Sequence, residues 1–151
     1  MLMNNQDNSL NFEVKDPSLT GVGYVIVTVS TARGAIPLEG AVVRIFNYEN
    51  GGGNGSLIVT TKTDSSGRTA RIPLPCPPRS ASQSPGNGRS YATYNIDAQY
   101  DGYYNQYYVN VPIFDGVTAI QNVDLVPVAE NGRGGQTLES RFYETENPTL
   151  E

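Results

Sequence analysis

Tyrosine is the most strongly clustered of the residue types in this sequence that could contribute to binding. Seven of the ten tyrosines fall between residues 91 and 108. A tyrosine offers an aromatic face for stacking and a hydroxyl for hydrogen bonding, so such a cluster suits a binding surface as well as a core. Because side chains alternate along a strand, Tyr104 and Tyr108 are predicted to share an exposed face with Gln106 and Asn110. That face would form a platform for a sugar ring or a protein partner. The same alternation predicts a core position for Tyr94, Tyr103 and Tyr107.

The sequence contains no histidine and a single cysteine. Without histidine, neither a Ser-His-Asp nor a Cys-His arrangement can be built, and a histidine-ligated zinc site is excluded. Cys76 lies among prolines with no histidine to activate it, so it is predicted to be a small apolar filler. These absences predict that the chain has no catalytic residue and is not an enzyme.

Carboxylates are the remaining candidates for acid–base or metal chemistry. Asp64, Asp101 and Asp115 lie in or beside turns, where aspartate is favoured because its carboxylate binds nearby backbone N–H groups. They show no D-x-D-x-D spacing of the kind that calcium-binding loops use. The sequence therefore predicts no metal site and no cofactor.

The overall charge limits the partners. A formal net charge of −5 and a pI near 4.7 argue against nucleic acid, since there is no basic patch to neutralise phosphates. No apolar run is long enough for a membrane span, and the first residues lack the basic and apolar regions of a signal peptide. The chain is either kept inside a cell or a piece of a longer protein, and its localisation is left open.

The pattern of apolar residues indicates an all-β domain. Short alternating segments are separated by turn signals such as Asn-Gly, Asp-Gly and the Asp64–Gly67 tetrapeptide. The first four strands are predicted to form a meander, and the Asp-Gly turns to set the register of the last three. A seven-stranded antiparallel β-sandwich is the architecture expected from this spacing. Its strands are predicted at 23–32, 41–48, 57–63, 68–74, 91–100, 103–114 and 117–128.

Polar segments mark the domain boundaries. Residues 1–20 are predicted to be an arm, residues 21–128 the sandwich and residues 129–151 a flexible linker or tail. A proline-rich loop at 75–90 interrupts the strands, and loops of this length without structure of their own are often functional. We therefore expect Arg79 and Arg89 in this loop, with Tyr104 and Tyr108, to form the binding surface.

Several motifs resemble a known family. The segments "IPLEGAVVRIF", "TTKTDSSGRT" and "YATYNIDAQYDGYY" resemble the carboxypeptidase-regulatory-like domain, which has a transthyretin-like (prealbumin-like) Greek-key sandwich. In addition, "LPCPP", "GRSYATYNI" and "VPIFDGVTAIQNVDLVP" are similar to the N-terminal domain of spore cortex-lytic enzymes and related peptidoglycan-binding proteins of spore-forming bacteria.

The resemblance implies an accessory domain or pro-region associated with a bacterial cell-wall or spore-cortex hydrolase. Its partner would be another protein or an adjacent hydrolase domain, with peptidoglycan as a further candidate. Two alternatives stay open: a carbohydrate-binding module, and a structural subunit that assembles through an edge strand.

Overall fold

A computed structural model describes residues 18–49, 53–80, 90–129 and 141–144. Within these ranges the regular structure consists of strands. Their bounds are β1 Gly21–Thr31, β2 Ile36–Pro37, β3 Val42–Glu49, β4 Gly53–Lys62, β5 Ile72–Cys76, β6 Ala92–Gln99, β7 Gln106–Ile113, β8 Thr118–Leu125 and β9 Arg141–Glu144.

The strands form two sheets that pack face to face. In sheet I, β1 is central: it pairs with β2 and β5 in antiparallel fashion and with β8 in parallel fashion. Sheet II has the order β4-β3-β6-β7-β9, and its last pair, β7 with β9, is also parallel. The predicted all-β sandwich is thus confirmed. The strand count of seven was wrong, because nine strands are present in the described ranges. Most strand pairs are antiparallel as predicted, and two pairs, β1 with β8 and β7 with β9, are parallel.

The predicted meander does not form. β3 and β4 make a hairpin in sheet II, whereas β1 and β5 lie together in sheet I. The physical reason is that β1 and β3 each carry a row of buried aliphatic side chains. Two such rows are best buried against each other across a sandwich, with their strands in different sheets. The core contains Val25, Val27, Val29, Val43, Ile45, Leu74, Ile96, Ile113, Val123 and Leu125.

The two Asp-Gly turns make different connections between strands. Asp101-Gly102 forms a turn, closed by the Tyr103 N–H that donates to the Tyr100 carbonyl at 3.0 Å, between the paired strands β6 and β7, so the predicted turn is confirmed and its role in setting the register stays a prediction. Asp115-Gly116 instead carries the chain from β7 in sheet II to β8 in sheet I. The Asp64–Gly67 turn is confirmed, because the Gly67 N–H donates to the Asp64 carbonyl at 2.8 Å.

The end of the chain departs from the predicted tail. Residues 141–144, which the sequence placed in the linker, form β9 against β7. The predicted arm lies outside the described residues up to position 17, and the domain boundaries otherwise stay a prediction.

Candidate functional site

The predicted tyrosine platform depends on strict alternation along β7, and a β-bulge breaks that alternation. Ile96 pairs with Tyr108 and Tyr94 pairs with Val111. Between these two pairs β6 has one residue and β7 has two, so β7 contains one extra residue. Asn110 sits in this bulge with a φ of 58°, and its N–H donates to Asn95 Oδ1 at 3.2 Å. The extra residue reverses which side chains face inward on the two sides of the bulge.

The bulge exchanges the two predicted roles. Tyr108 packs against the core beside Ile96, although the sequence placed it on the exposed face. Tyr107 pairs with the outward-facing Asp97 and is only partly buried, although the sequence placed it in the core. Both face assignments were wrong. Tyr94 is buried as predicted, and its hydroxyl donates to the Pro75 carbonyl of the facing sheet.

Tyr104 lies before β7 and does not belong to its exposed face. Its backbone N–H donates to the Val126 carbonyl at 2.9 Å, and its side chain is half-buried. Tyr104 and Tyr108 therefore do not share one exposed strand face, and ligand binding by either stays a prediction.

Arg79 is held in place by its backbone, and its side chain is 72% exposed. The Arg79 N–H donates to Asp115 Oδ2 at 2.8 Å, and the Val22 N–H donates to Asp115 Oδ1 at 3.0 Å. These two hydrogen bonds lower the pKa of Asp115, the one from Arg79 more strongly. One carboxylate thus fastens the start of β1 and the 75–80 segment to the β7–β8 turn. Arg89 lies outside the described residues, so binding by either arginine stays a prediction.

An ion pair that the sequence analysis missed lies on the outer face of sheet II. Arg44 binds Asp97 through two nitrogens, Nε to Oδ1 at 3.1 Å and Nη2 to Oδ2 at 2.5 Å. The Asp97 side chain is 1% exposed, and the guanidinium lies 5.3 Å from the centre of the Phe46 ring. The signal in the sequence was two opposite charges in the middle of two strands, but only pairing of those strands shows that they meet.

A cleft opens at the end of sheet II, beside this ion pair. It has a volume of about 590 Å³ and lies where β3 begins, β6 ends and the β6–β7 turn follows. Its lining mixes an aromatic ring, two side-chain amides and a carboxylate. The lining residues are Gly40, Val42, Gln99, Tyr100, Asp101, Gly102 and Asn105.

Sheet I presents a different kind of outer surface. Tyr24 and Ile26 of β1 lie beside Ile120 of the neighbouring β8, and Ile120 is 51% exposed. The Arg71 guanidinium covers the Tyr24 ring at 3.7 Å and its Nε donates to Thr118 Oγ1 at 3.2 Å. This surface is apolar at its centre and has one cation stacked on it.

The described residues offer little for nucleophilic or metal chemistry. Cys76 is fully buried, as expected for an apolar filler, and burial raises the pKa of its thiol to about 11. No group of three metal-ligating side chains occurs in residues 18–49, 53–80, 90–129 and 141–144. The same ranges contain no helix long and apolar enough to cross a membrane.

Comparison with known proteins gives a fold but no family. No known family and no curated protein matches the sequence. Among solved structures, catechol 1,2-dioxygenase from Acinetobacter sp. ADP1 matches with a TM-score of 0.50 at 10% identity, over 87% of this chain and 61% of that chain. A minor pilin of Streptococcus agalactiae matches with a TM-score of 0.46 at 17% identity, over 77% of this chain and 49% of that chain.

The TIE protein of Bacillus anthracis matches with a TM-score of 0.44 at 16% identity, over 72% of this chain and 17% of that chain. The chain thus spans less than two thirds of the length of each of these proteins. At these identities the likeness to the dioxygenase shows a shared β-sandwich fold and nothing of its chemistry.

One expectation from the sequence is overturned by this finding. We expected the chain not to be an enzyme, because it contains no histidine and a single cysteine, and because most of its candidate aspartates lie in or beside turns. Catechol 1,2-dioxygenase from Acinetobacter sp. ADP1 has a sandwich similar to this one. The architecture therefore gives no ground for excluding catalysis, and that exclusion was wrong.

Proposed function

We propose that this β-sandwich is a structural interaction domain, and that its partner is a second copy of the chain joined along the free edge of β8. The observation that carries the proposal is that no described strand pairs with the outer edge of β8, and that this edge lacks the usual features that block pairing.

The register of β8 fixes which backbone groups face outward. Tyr24 pairs with Thr118, and the Tyr24 N–H donates to the Val117 carbonyl at 2.9 Å. In a parallel ladder of this register, every second β8 residue turns both its N–H and its C=O toward β1, and the residues between turn theirs away. The backbone groups that point outward belong to Thr118, Ile120, Asn122 and Asp124.

Natural proteins usually block a free edge with lysine, proline or a bulge. The opposite edge of sheet I shows such protection, because β5 contains Pro73 and Pro75. β8 contains neither lysine nor proline, and its eight pairs with β1 run without a register shift. The edge is therefore regular. Two of its outward carbonyls accept from side chains, Asp124 from Gln106 Nε2 at 3.3 Å and Asn122 from Gln121 Nε2 at 3.2 Å, and an added strand would share or replace these two hydrogen bonds.

The side chains of β8 fit an antiparallel copy of itself. With the twofold axis at Gln121, Ile120 would lie opposite Asn122 of the second copy and Thr118 opposite its Asp124. The carboxylates would then face hydroxyls instead of each other, and the outward backbone groups would pair. The exposed Ile120 side chains would extend one apolar surface across both copies.

Sedimentation velocity of the full chain over a concentration series tests the proposal. We expect a dimer with a Kd on the order of 10 μM, since a strand-to-strand interface is small. Asn122→Pro removes an outward N–H while sparing the ladder to β1, so it should be monomeric. Asn122→Thr keeps the N–H and should dimerise like the wild type.

A second variant keeps the test valid if the proline variant does not fold. Ile120→Lys keeps the backbone and adds a charge of the kind that natural edges use, so it should also be monomeric. A wild type that stays monomeric throughout, or an Asn122→Pro variant that folds and still dimerises, would overturn the proposal.

The motifs quoted above support a narrower setting for this domain. Their resemblance to the carboxypeptidase-regulatory-like domain and to spore cortex-lytic enzymes leads us to propose an accessory role beside a cell-wall or spore-cortex hydrolase. Sedimentation of the chain with insoluble peptidoglycan, vegetative and spore-cortex, tests this setting. Absence from the pellet with both materials would argue against contact with the wall itself.

A further inference from the structure

The cleft at the end of sheet II contains polar groups that the fold leaves unused. Gln99, Asp101 and Asn105 line it, and their side chains make no hydrogen bond within the described part of the chain. The other aspartates in those ranges all hold the fold together. Asp64 accepts from N–H groups of its own turn, and Asp115 accepts from the Val22 and Arg79 N–H groups. Asp97 binds Arg44, and Asp124 accepts from the Arg33 N–H.

The aromatic part of the lining is fixed in position. Tyr100 packs against the core, and its ring centre lies 5.5 Å from that of Tyr103 at an interplanar angle of 56°. A ring held in this way can receive a flat apolar face without losing much conformational freedom. Val42, which pairs with Gln99 on the neighbouring strand β3, adds an aliphatic side chain to the lining.

The turns beside the cleft place two glycines, which have no side chain, in its lining. Gly102 has a φ of 89°, which the tight β6–β7 turn requires, and Gly40 has a φ of 84° where the chain enters β3. A Cβ built on either glycine would meet no atom within 4 Å. The cleft therefore stays open on both sides, and its volume of about 590 Å³ is in the range usual for small-molecule sites.

We propose that this cleft binds a pyranose unit of an uncharged oligosaccharide. The two amides and the carboxylate can each bind hydroxyls or an N-acetyl group of the sugar, and the Tyr100 ring can pack on its C–H face. Asp101 is the only charged side chain of the lining, so uronic acids and phosphates would be repelled. The cleft is on sheet II and β8 is on sheet I, so the sugar site and the dimer proposed above can be tested independently.

The test is a titration of the ¹⁵N-labelled full chain followed by heteronuclear NMR. Cellotetraose and tetra-N-acetylchitotetraose serve as uncharged probes, and tetragalacturonic acid serves as the anionic control. We expect saturable shifts of the Gln99 and Asn105 side-chain amide signals with at least one uncharged probe, and none with the anionic one.

Matched variants separate the cleft from the rest of the surface. Gln99→Ala and Asp101→Ala should each raise the Kd about tenfold, because each removes a side chain that hydrogen-bonds the bound sugar. Gln121→Ala removes an amide from sheet I, and Glu39→Gln removes a negative charge just outside the lining. Both controls should bind like the wild type.

Two results would overturn the proposal. One is the absence of saturable shifts with both uncharged probes at about 10 mM, well above the Kd expected of a specific sugar site. The other is saturable binding whose Kd is unchanged by Gln99→Ala and Asp101→Ala, because the sugar would then occupy a different surface.

Discussion

The outer faces of the two sheets differ in how their side chains are covered. On sheet II, the middle of the central strand β6 is buried on both sides, and its outward-facing Asp97 lies beneath Arg44 from the next strand. On sheet I, the outward-facing Ile120 is 51% exposed. The inward-facing aliphatic side chains of both sheets are buried, for example Val27 in sheet I and Ile45 in sheet II, so the difference lies on the outer faces.

The position of each residue in its sheet explains the contrast. β6 has neighbours on both sides, and the long Arg44 side chain from β3 reaches across to Asp97. β8 is the last described strand of its sheet, and only β1 stands next to it. A strand without a second neighbour cannot have its outer face covered from both sides, and this is where a partner would gain most by burying apolar surface.

The largest test of this contrast compares two isoleucines of the same size. Ile96 is fully buried in sheet II, so Ile96→Ala should lower the free energy of unfolding by about 4 kcal/mol through lost burial and a cavity. Ile120→Ala should change it by less than about 0.5 kcal/mol, as for other exposed positions. Urea unfolding at low protein concentration, where any dimer is dissociated, measures both. Equal costs would show that sheet I is covered after all.

The ion pair on sheet II gives the next largest effect. Asp97→Ala should destabilise the domain by about 3 kcal/mol, because Arg44 loses its partner in a partly buried setting. Replacing both residues by Met and Leu should restore stability to within about 1 kcal/mol of the wild type. The same urea series measures this, with Thr60→Ala on the neighbouring strand as control. If the double variant is as unstable as the single one, the ion pair itself stabilises the fold, and the cost of Asp97→Ala does not come only from leaving Arg44 without its partner.

The smallest effect concerns the carboxylate that fastens β1 to the turn between the sheets. Hydrogen bonds from Arg79 and Val22 lower the pKa of Asp115 in the folded state. The stability that they provide is therefore present above the pKa of the unfolded chain and is lost as pH falls through the folded value. Asp115→Asn keeps one acceptor oxygen but places an amide NH₂ where the other of the two N–H donors points, so the variant should be less stable at pH 7.

The acid profile checks this last prediction. Urea midpoints measured from about pH 6 to about pH 2 should fall less steeply for Asp115→Asn than for the wild type. Asp101→Asn is the control at pH 7, since Asp101 accepts no hydrogen bond from the described residues. Parallel acid profiles for wild type and Asp115→Asn would contradict the assignment.

Local chemistry explains what could be predicted along the chain. The Asp64–Gly67 turn follows from an aspartate that binds the next N–H groups and a glycine at a φ of 76°. The Asp101-Gly102 hairpin and the buried Cys76 follow from similarly short segments. The residues of the cleft were missed, because Gln99, Tyr100 and Asn105 have no distinctive spacing and meet only when β3, β6 and the turn come together.

Strand formation, the positions of several turns and the need to bury two rows of aliphatic side chains all follow from the sequence. Those properties depend on alternation and turn chemistry within a few residues. Only the tertiary structure decided that β8 lies parallel to β1, that Asp97 meets Arg44, and that the bulge at Asn110 turns Tyr108 inward. These features depend on contacts between distant segments, because pairing is chosen by burying both rows at once, and a single inserted residue reverses the faces of a strand.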